Sequence, residues 1–286
     1  MDWDEGNRTA SGTLFYSFFI IRFNCIRDTL RLIHVVFTLP EVLNKTALHE
    51  PKMLYDILFE SAWETLQTFG KNKNLQMGMI AVLHTWGQNL SLHPHLHCIV
   101  PGGGVDENGA WKNIKNDGKF LFSVKALSKV FRAKFCEKLK ANLKDKFNEN
   151  QENEYEKIRQ SLWEKPWVVY AKKPFGSPKS VVEYLGRYTH KIAISNGRIR
   201  GIDDKTVTFD YKDYRQKGIK KQMVLSHEEF IRRFAMHILP KRFVKIRHYG
   251  FLSSTWKRIK LKKLQQKLGI KPKEKPLPKP FQPKCS

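Results

Sequence analysis

The sequence predicts an α+β fold, a central and mainly antiparallel sheet flanked by helices. Three observations predict it. Short alternating or β-branched runs are interleaved with amphipathic stretches of helical period. Hairpin turn signals cluster in the second half. No segment repeats another. With 286 residues, the chain can bury a proper hydrophobic core as one large domain or two small ones.

The elements follow in order. LIHVVFTLP (32–40) alternates, is rich in β-branched residues and stops at a proline, the pattern of a strand. In 51–70, Leu54, Ile57, Leu58, Ala62, Leu66 and Phe69 recur at helical spacing between an early Pro and a closing Gly, so a helix is expected. MGMIAVLHTW (77–86) and HLHCIV (95–100) are expected strands, the second turned by PGGG (101–104). A long helix is expected over 124–147, and its polar continuation fits either loop or more helix. PWVVYAKK (166–173) is expected to be a strand. Ser177 and Pro178 open a helix over 177–191. Asn-Gly and Asp-Asp-Lys turns divide 192–213 into hairpins. Ser226 with Glu229 three residues on is a capping box ahead of a helix ended by Pro240.

Charge narrows the function. Lys and Arg number 52 against 27 Asp and Glu, a formal +25, which attracts polyanions, either nucleic acid or an anionic membrane. The longest apolar run near the start, 14–23, is too short to span a bilayer and contains Arg22. Asp2, Asp4 and Glu5 precede it where a signal peptide would be basic. Nucleic acid inside a cell is therefore the expected partner. Cys25, Cys98, Cys136 and Cys285 form no CxxC pair and are expected to be plain thiols.

Chemistry concentrates in two stretches. In SLHPHLHCIV (91–100), His95 and His97 share one strand face, while Leu96, Cys98 and Val100 face a core. Two imidazoles on a rigid strand are half of a divalent-metal site. His84, on the preceding strand, is the first choice for a third ligand, and Gln88 is the alternative. Glu183 and His190 are further candidates, and His93 shares the face. The competing reading is a solvated polar strand end. In VVEYLGRYTHK (181–191), Tyr184 and Tyr188 are four apart and share a helix face, beside Arg187, His190 and Lys191. Paired phenols suit covalent attack on a phosphodiester, assisted by a Lewis acid. The competing reading is core packing with Val181, Val182, Leu185 and Ile192.

Together, VLHTWGQNLSLHPHLHCIVPGGG (82–104) and VVEYLGRYTHKIAISNGRI (181–199) resemble the signature blocks of the HUH, two-tyrosine rolling-circle transposases of the insertion-sequence-91/801 type. HVVFTLP (34–40), 120–135 and 243–253 are similar to further family blocks, so the resemblance covers about residues 30–255. It implies a nickase and strand transferase for single-stranded DNA at transposon ends and targets. Tyr184 and Tyr188 would be the nucleophiles, forming a 5′-phosphotyrosine. His95, His97 and the third ligand would hold Mg²⁺ or Mn²⁺. Related replication initiators and relaxases share this chemistry.

Two departures accompany the resemblance. Residues 1–30 lack the family's cysteine-rich zinc-binding segment, and the chain stops at KPFQPKCS where further cysteines are expected. Both suggest a shortened or frame-disrupted product, for which the alternative is a DNA-binding remnant without productive catalysis. The organisation expected is an atypical segment 1–30, a catalytic domain 31–200, a hairpin and helix extension 201–255, and a basic tail 256–286. Arg187, Lys191, Lys245, Arg247, Lys257 and Arg258, interleaved with aromatics, are the expected DNA contacts. The expected location is the bacterial cytoplasm, on the nucleoid when DNA is bound.

Overall fold

The structure, a computed structural model, describes residues 31–115, 121–143, 149–172, 193–216, 218–267 and 269. The segment 1–30, the helix expected over 177–191 and the arm after 271 lie outside the described residues.

Five strands form the main sheet in the order β10-β2-β3-β1-β6. They are β1 (Leu32–Thr38), β2 (Gly78–Trp86), β3 (Leu92–Pro101), β6 (Val169–Ala171) and β10 (Ile246–Gly250). Every pairing in this sheet is antiparallel. One face is apolar. Ile33, Val35, Phe37, Met79, Ala81, Leu83, Leu96, Cys98 and Val100 are all buried on it. The parity expected for Leu96, Cys98 and Val100 is thus the parity observed.

Two helices cover that face. One, α2 (Pro51–Lys71), follows a short α1 (Asn44–His49). The other is α3 (Val124–Leu143). Leu54, Leu58, Ala62 and Leu66 of α2 meet Leu127, Phe131, Phe135 and Leu139 of α3 in one core. Phe131 packs at 4.9 Å from Phe37 and 5.3 Å from Trp167. Lys138 of α3 bonds Glu64 of α2 at 2.8 Å where the pair reaches solvent. The polar continuation resolves as helix α4 (Glu149–Glu164).

A second sheet, β7 (Ile199–Ile202), β8 (Thr206–Asp213) and β9 (Ile219–Ser226), carries helix α5 (His227–Ala235). Ser226 caps α5, its hydroxyl accepting from Glu229 N at 3.3 Å. Phe209 is its core, with Phe230, Phe234, Met223 and Leu225 around it. Helix α6 (Ser254–Lys267) closes the described chain.

Some expectations shift. β3 begins at Leu92, before Pro94. The proline sits where β1 has already ended at Thr38, so its missing N–H breaks no ladder bond. The glycines after Pro101 do not simply turn. Gly103 lies in β4 (Gly103–Val105), paired with β5 (Trp111–Asn113). A Cβ there would sit 2.5 Å from the Trp111 ring. Helix α5 ends at Ala235, well before Pro240, because the chain turns to send His237 into the main sheet's β2–β3 turn.

Candidate metal centre

The second face of the main sheet sets a cluster of histidines among apolar residues such as Ile80, Val82 and Ile99. Strand parity puts His34 of β1, His84 of β2, and His93, His95 and His97 of β3 on it. His84 pairs directly with His95, and Val82 with His97. A register irregularity between His84 and Trp86 ends the regular ladder beside these ligands. One nitrogen from each of His84, His95 and His97 lies within 4.8 Å of the others. His84 and His97 are buried, and His95 is half-buried at the edge.

Hydrogen bonds fix the rings. His95 Nδ1 lies 2.6 Å from the His93 carbonyl. A carbonyl only accepts, so Nδ1 carries the proton and Nε2 presents a lone pair. That lone pair points at His97 Nε2, 3.1 Å away. Two nitrogens each ~2.1 Å from one ion, at a right angle, lie ~3.0 Å apart. The spacing of the His95 and His97 nitrogens therefore fits a divalent cation, and the three imidazoles could hold one.

Electrostatics favour the neutral, ligating form. Loss of water pushes the pKa of His34 and of His95 down to about 4. His97 is held well below its ordinary value, by desolvation first and then by the neighbouring His84, His95, His34 and Lys172. Neutral imidazoles keep their lone pairs for a metal at neutral pH.

His84 is also gripped from outside the trio. The Trp86 ring stacks on it at 4.7 Å and 15°. The Lys245 ammonium lies 5.0 Å from the Trp86 centroid, and burial lowers its pKa.

Sequence comparison places this centre in a family. The family described as "Putative transposase" (Y2_Tnp) matches residues 78–260, more than half of the chain and all three of these histidines. The chain belongs to this transposase family. It is 42% identical over 262 residues to a protein described as "Putative transposase y4qJ" from Sinorhizobium fredii, covering 87% of this chain and 66% of that protein. It is 30% identical over 229 residues to the "Transposase for insertion sequence element IS801" from Pseudomonas savastanoi pv. phaseolicola, covering 77% of this chain and 54% of that one. The chain thus spans less than two thirds of the length of either relative.

The other residues singled out in this chain fall in four places. Tyr184, Tyr188, Arg187, Lys191, Glu183 and His190 lie outside the described residues. Lys257 and Arg258 lie in α6, with side chains outside the described set. Gln88 sits in the β2–β3 turn, its carbonyl bonded by Arg198. Arg247 turns to the helix side of the sheet. Its guanidinium bonds Asp56 of α2 and lies 4.2 Å from the Phe59 centroid. That engagement makes it a tie between β10 and α2.

Two residues of the histidine-bearing face were missed from the sequence. His34 Nε2 lies 2.8 Å from His97 Nδ1. Lys172, just after β6, bonds the His34 carbonyl through its backbone N–H at 2.9 Å. It is exposed, and its charge depresses both His34 and His97. Strand parity carries both signals. His34 alternates with Val35 and Phe37, and Lys172 is two residues from Tyr170, which pairs with Val36.

Proposed function

We propose that this transposase chain nicks and rejoins single-stranded DNA at transposon ends and targets, through tyrosine and a divalent cation. The observation that carries the reading is the convergence of His84, His95 and His97 on one sheet face of a transposase-family chain. The cation would be Mn²⁺ or Mg²⁺, and an all-nitrogen donor set favours Mn²⁺ of the two, since Mg²⁺ prefers oxygen and dehydrates reluctantly. When bound, it supplies Lewis-acid polarisation of a phosphate oxygen.

The chain's own residues do the rest. Tyr184 or Tyr188 attacks the phosphorus. The bond from phosphorus to the 3′ oxygen breaks, leaving a 3′-hydroxyl that takes up the proton lost by the phenol. The 5′ phosphate stays on the tyrosine, so the bond energy is kept for rejoining. Lys245 and Lys172 stand on opposite sides of the histidines, one over Trp86 and one beside His34. We assign them to backbone phosphates flanking the reacting one. A cytoplasmic location on DNA accompanies this reading, and no helix among the described residues is long and apolar enough to cross a membrane.

The test uses a labelled single-stranded oligonucleotide carrying an element terminus, with Mn²⁺. A protein–DNA adduct that survives denaturation is expected. His97→Ala should abolish it, and Tyr184→Phe and Tyr188→Phe should each change it. Binding with no adduct under any divalent cation overturns catalysis and leaves a DNA-binding protein.

A further inference from the structure

We infer that His34 is a positioning residue that sets the tautomer of His97 and so switches the His95–His97 pair between a closed hydrogen-bond network and a metal-ready one. The inference rests on the metal-centre reading above and extends it to a residue on a third strand.

The geometry is specific. His34 is 1% exposed and His97 8%, so the bond between them is shielded from water. Their rings are 8° from parallel with centroids 5.0 Å apart. A nitrogen–nitrogen distance of 2.8 Å is closer than two rings can stack face to face. The rings are therefore side by side in nearly one plane, joined by an in-plane hydrogen bond. The register explains it. Val36 pairs with His97, so His34 is the diagonal neighbour on the same face.

Proton placement then has two solutions. In both, His95 carries its proton on Nδ1, bonded to the His93 carbonyl. In the first, His34 Nε2–H donates to His97 Nδ1, and His97 Nε2–H donates to His95 Nε2 across 3.1 Å. Both of these contacts then have one donor and one acceptor, and neither requires a metal. In the second, His97 carries its proton on Nδ1 and donates to His34 Nε2, while His34 carries its own on Nδ1. His97 Nε2 and His95 Nε2 then present two lone pairs to one point, which only a cation makes favourable. Each state holds three neutral imidazoles and the same three protons. The switch releases none.

A ligating histidine whose other nitrogen donates to a fixed acceptor is oriented and made more basic. A carboxylate in the place of His34 would do the same but would add a negative charge beside the cation. The neutral imidazole leaves the cation's full charge for phosphate.

The test is calorimetric titration of the full chain with Mn²⁺ alone, with folding checked by circular dichroism. His34→Phe keeps the ring and loses both nitrogens. It should weaken Mn²⁺ binding ~10–100-fold without changing stoichiometry. His34→Gln returns an amide near the Nε2 position and should bind within a few-fold of wild type. His97→Ala should not bind at this site. Wild-type affinity in folded His34→Phe, or equal loss in Phe and Gln, overturns the inference while leaving the metal centre standing. Identical titrations of wild type and His97→Ala overturn both. Histidine ¹⁵N spectra of the wild type need no substitution. With Zn²⁺ as a diamagnetic probe, His34 and His97 should both move from Nε2–H to Nδ1–H. An unchanged His34 tautomer overturns the switch.

Discussion

His237 donates from Nε2 to the Leu90 carbonyl at 3.2 Å, and its Nδ1 lies 3.2 Å from Thr85 Oγ1. One buried imidazole thus ties the chain after α5 to the turn between the two ligand-bearing strands. Arg233 adds a bond to the Asn89 carbonyl at 3.2 Å. The neutral tautomer satisfies both nitrogens, and burial lowers the pKa from 6.5. The unfolded chain therefore binds the proton more readily than the fold does. Stability from this group is full above about pH 6.5 and is lost as pH falls from there toward the folded pKa. His237→Gln should cost about 1–2 kcal/mol at pH 7. It should also flatten the fall in Tm between pH 7 and 5 relative to wild type. An unchanged slope in thermal melts would contradict the assignment.

Lys172→Ala and Lys245→Ala should each weaken single-stranded DNA binding about fivefold, and each should reduce the salt slope by about 0.7, one phosphate contact's worth. Arg247→Ala should behave differently. With Asp56 and Phe59 left behind, it should lose ~2 kcal/mol of stability while the salt slope stays near wild type. Fluorescence anisotropy across a salt series, paired with thermal melts, separates the two behaviours. A large slope change in Arg247→Ala would return that side chain to the DNA surface.

Gly250 should tolerate no side chain. Its φ is +59°, and a Cβ there would lie 1.9 Å from the Met77 carbonyl oxygen and 2.7 Å from the Trp63 ring. Left-handed strain alone costs about 1–2 kcal/mol, and the overlap would unseat the end of β10. Gly250→Ala should lose at least ~3 kcal/mol in denaturant unfolding. A loss under 1 kcal/mol would show that β10 ends differently.

Cys98 and Cys136 should be inert in the native protein. Cys98 is completely buried and burial pushes its thiol far up, while Cys136 is pushed up to about 11, chiefly by burial. The thiolate is the reacting species. Mass spectrometry after iodoacetamide at pH 8 should find both unmodified until denaturant is added. Rapid native labelling of either would refute this.

The legible parts of the fold were those where period and burial agree. The strand β1 and the helix α2 show their faces in their apolar spacing, and so does the pair His95 and His97, while β2 is apolar on both faces over Met79 to Leu83. Strand β10 was hidden because its residues IRHYG put a polar side chain on each face, Arg247 on one and His248 on the other. One face ties to α2 through Arg247, and the other leads to the histidines. The place of His84 beside His95 was reachable because adjacent strands joined by a short turn pair almost inevitably. His34 was not, because its contact spans 63 residues and exists only once β1 is seated beside β3. Lys172 was missed for the same reason, since β6 contributes three residues to the sheet edge.

The dewatered histidines have one more consequence. In a molecule with 25 surplus positive charges, the neutral imidazoles add no charge of their own to this spot, so under the proposed function it would gain charge when an ion arrives. Under that reading, the attraction for the reacting phosphodiester itself would be conferred by loading, while Lys172 and Lys245 hold its neighbours. Thermodynamic reciprocity then requires that whatever factor the ion adds to the grip on DNA, DNA adds to the grip on the ion. Under the proposed function, an ion held weakly by the empty protein would still be retained throughout strand exchange.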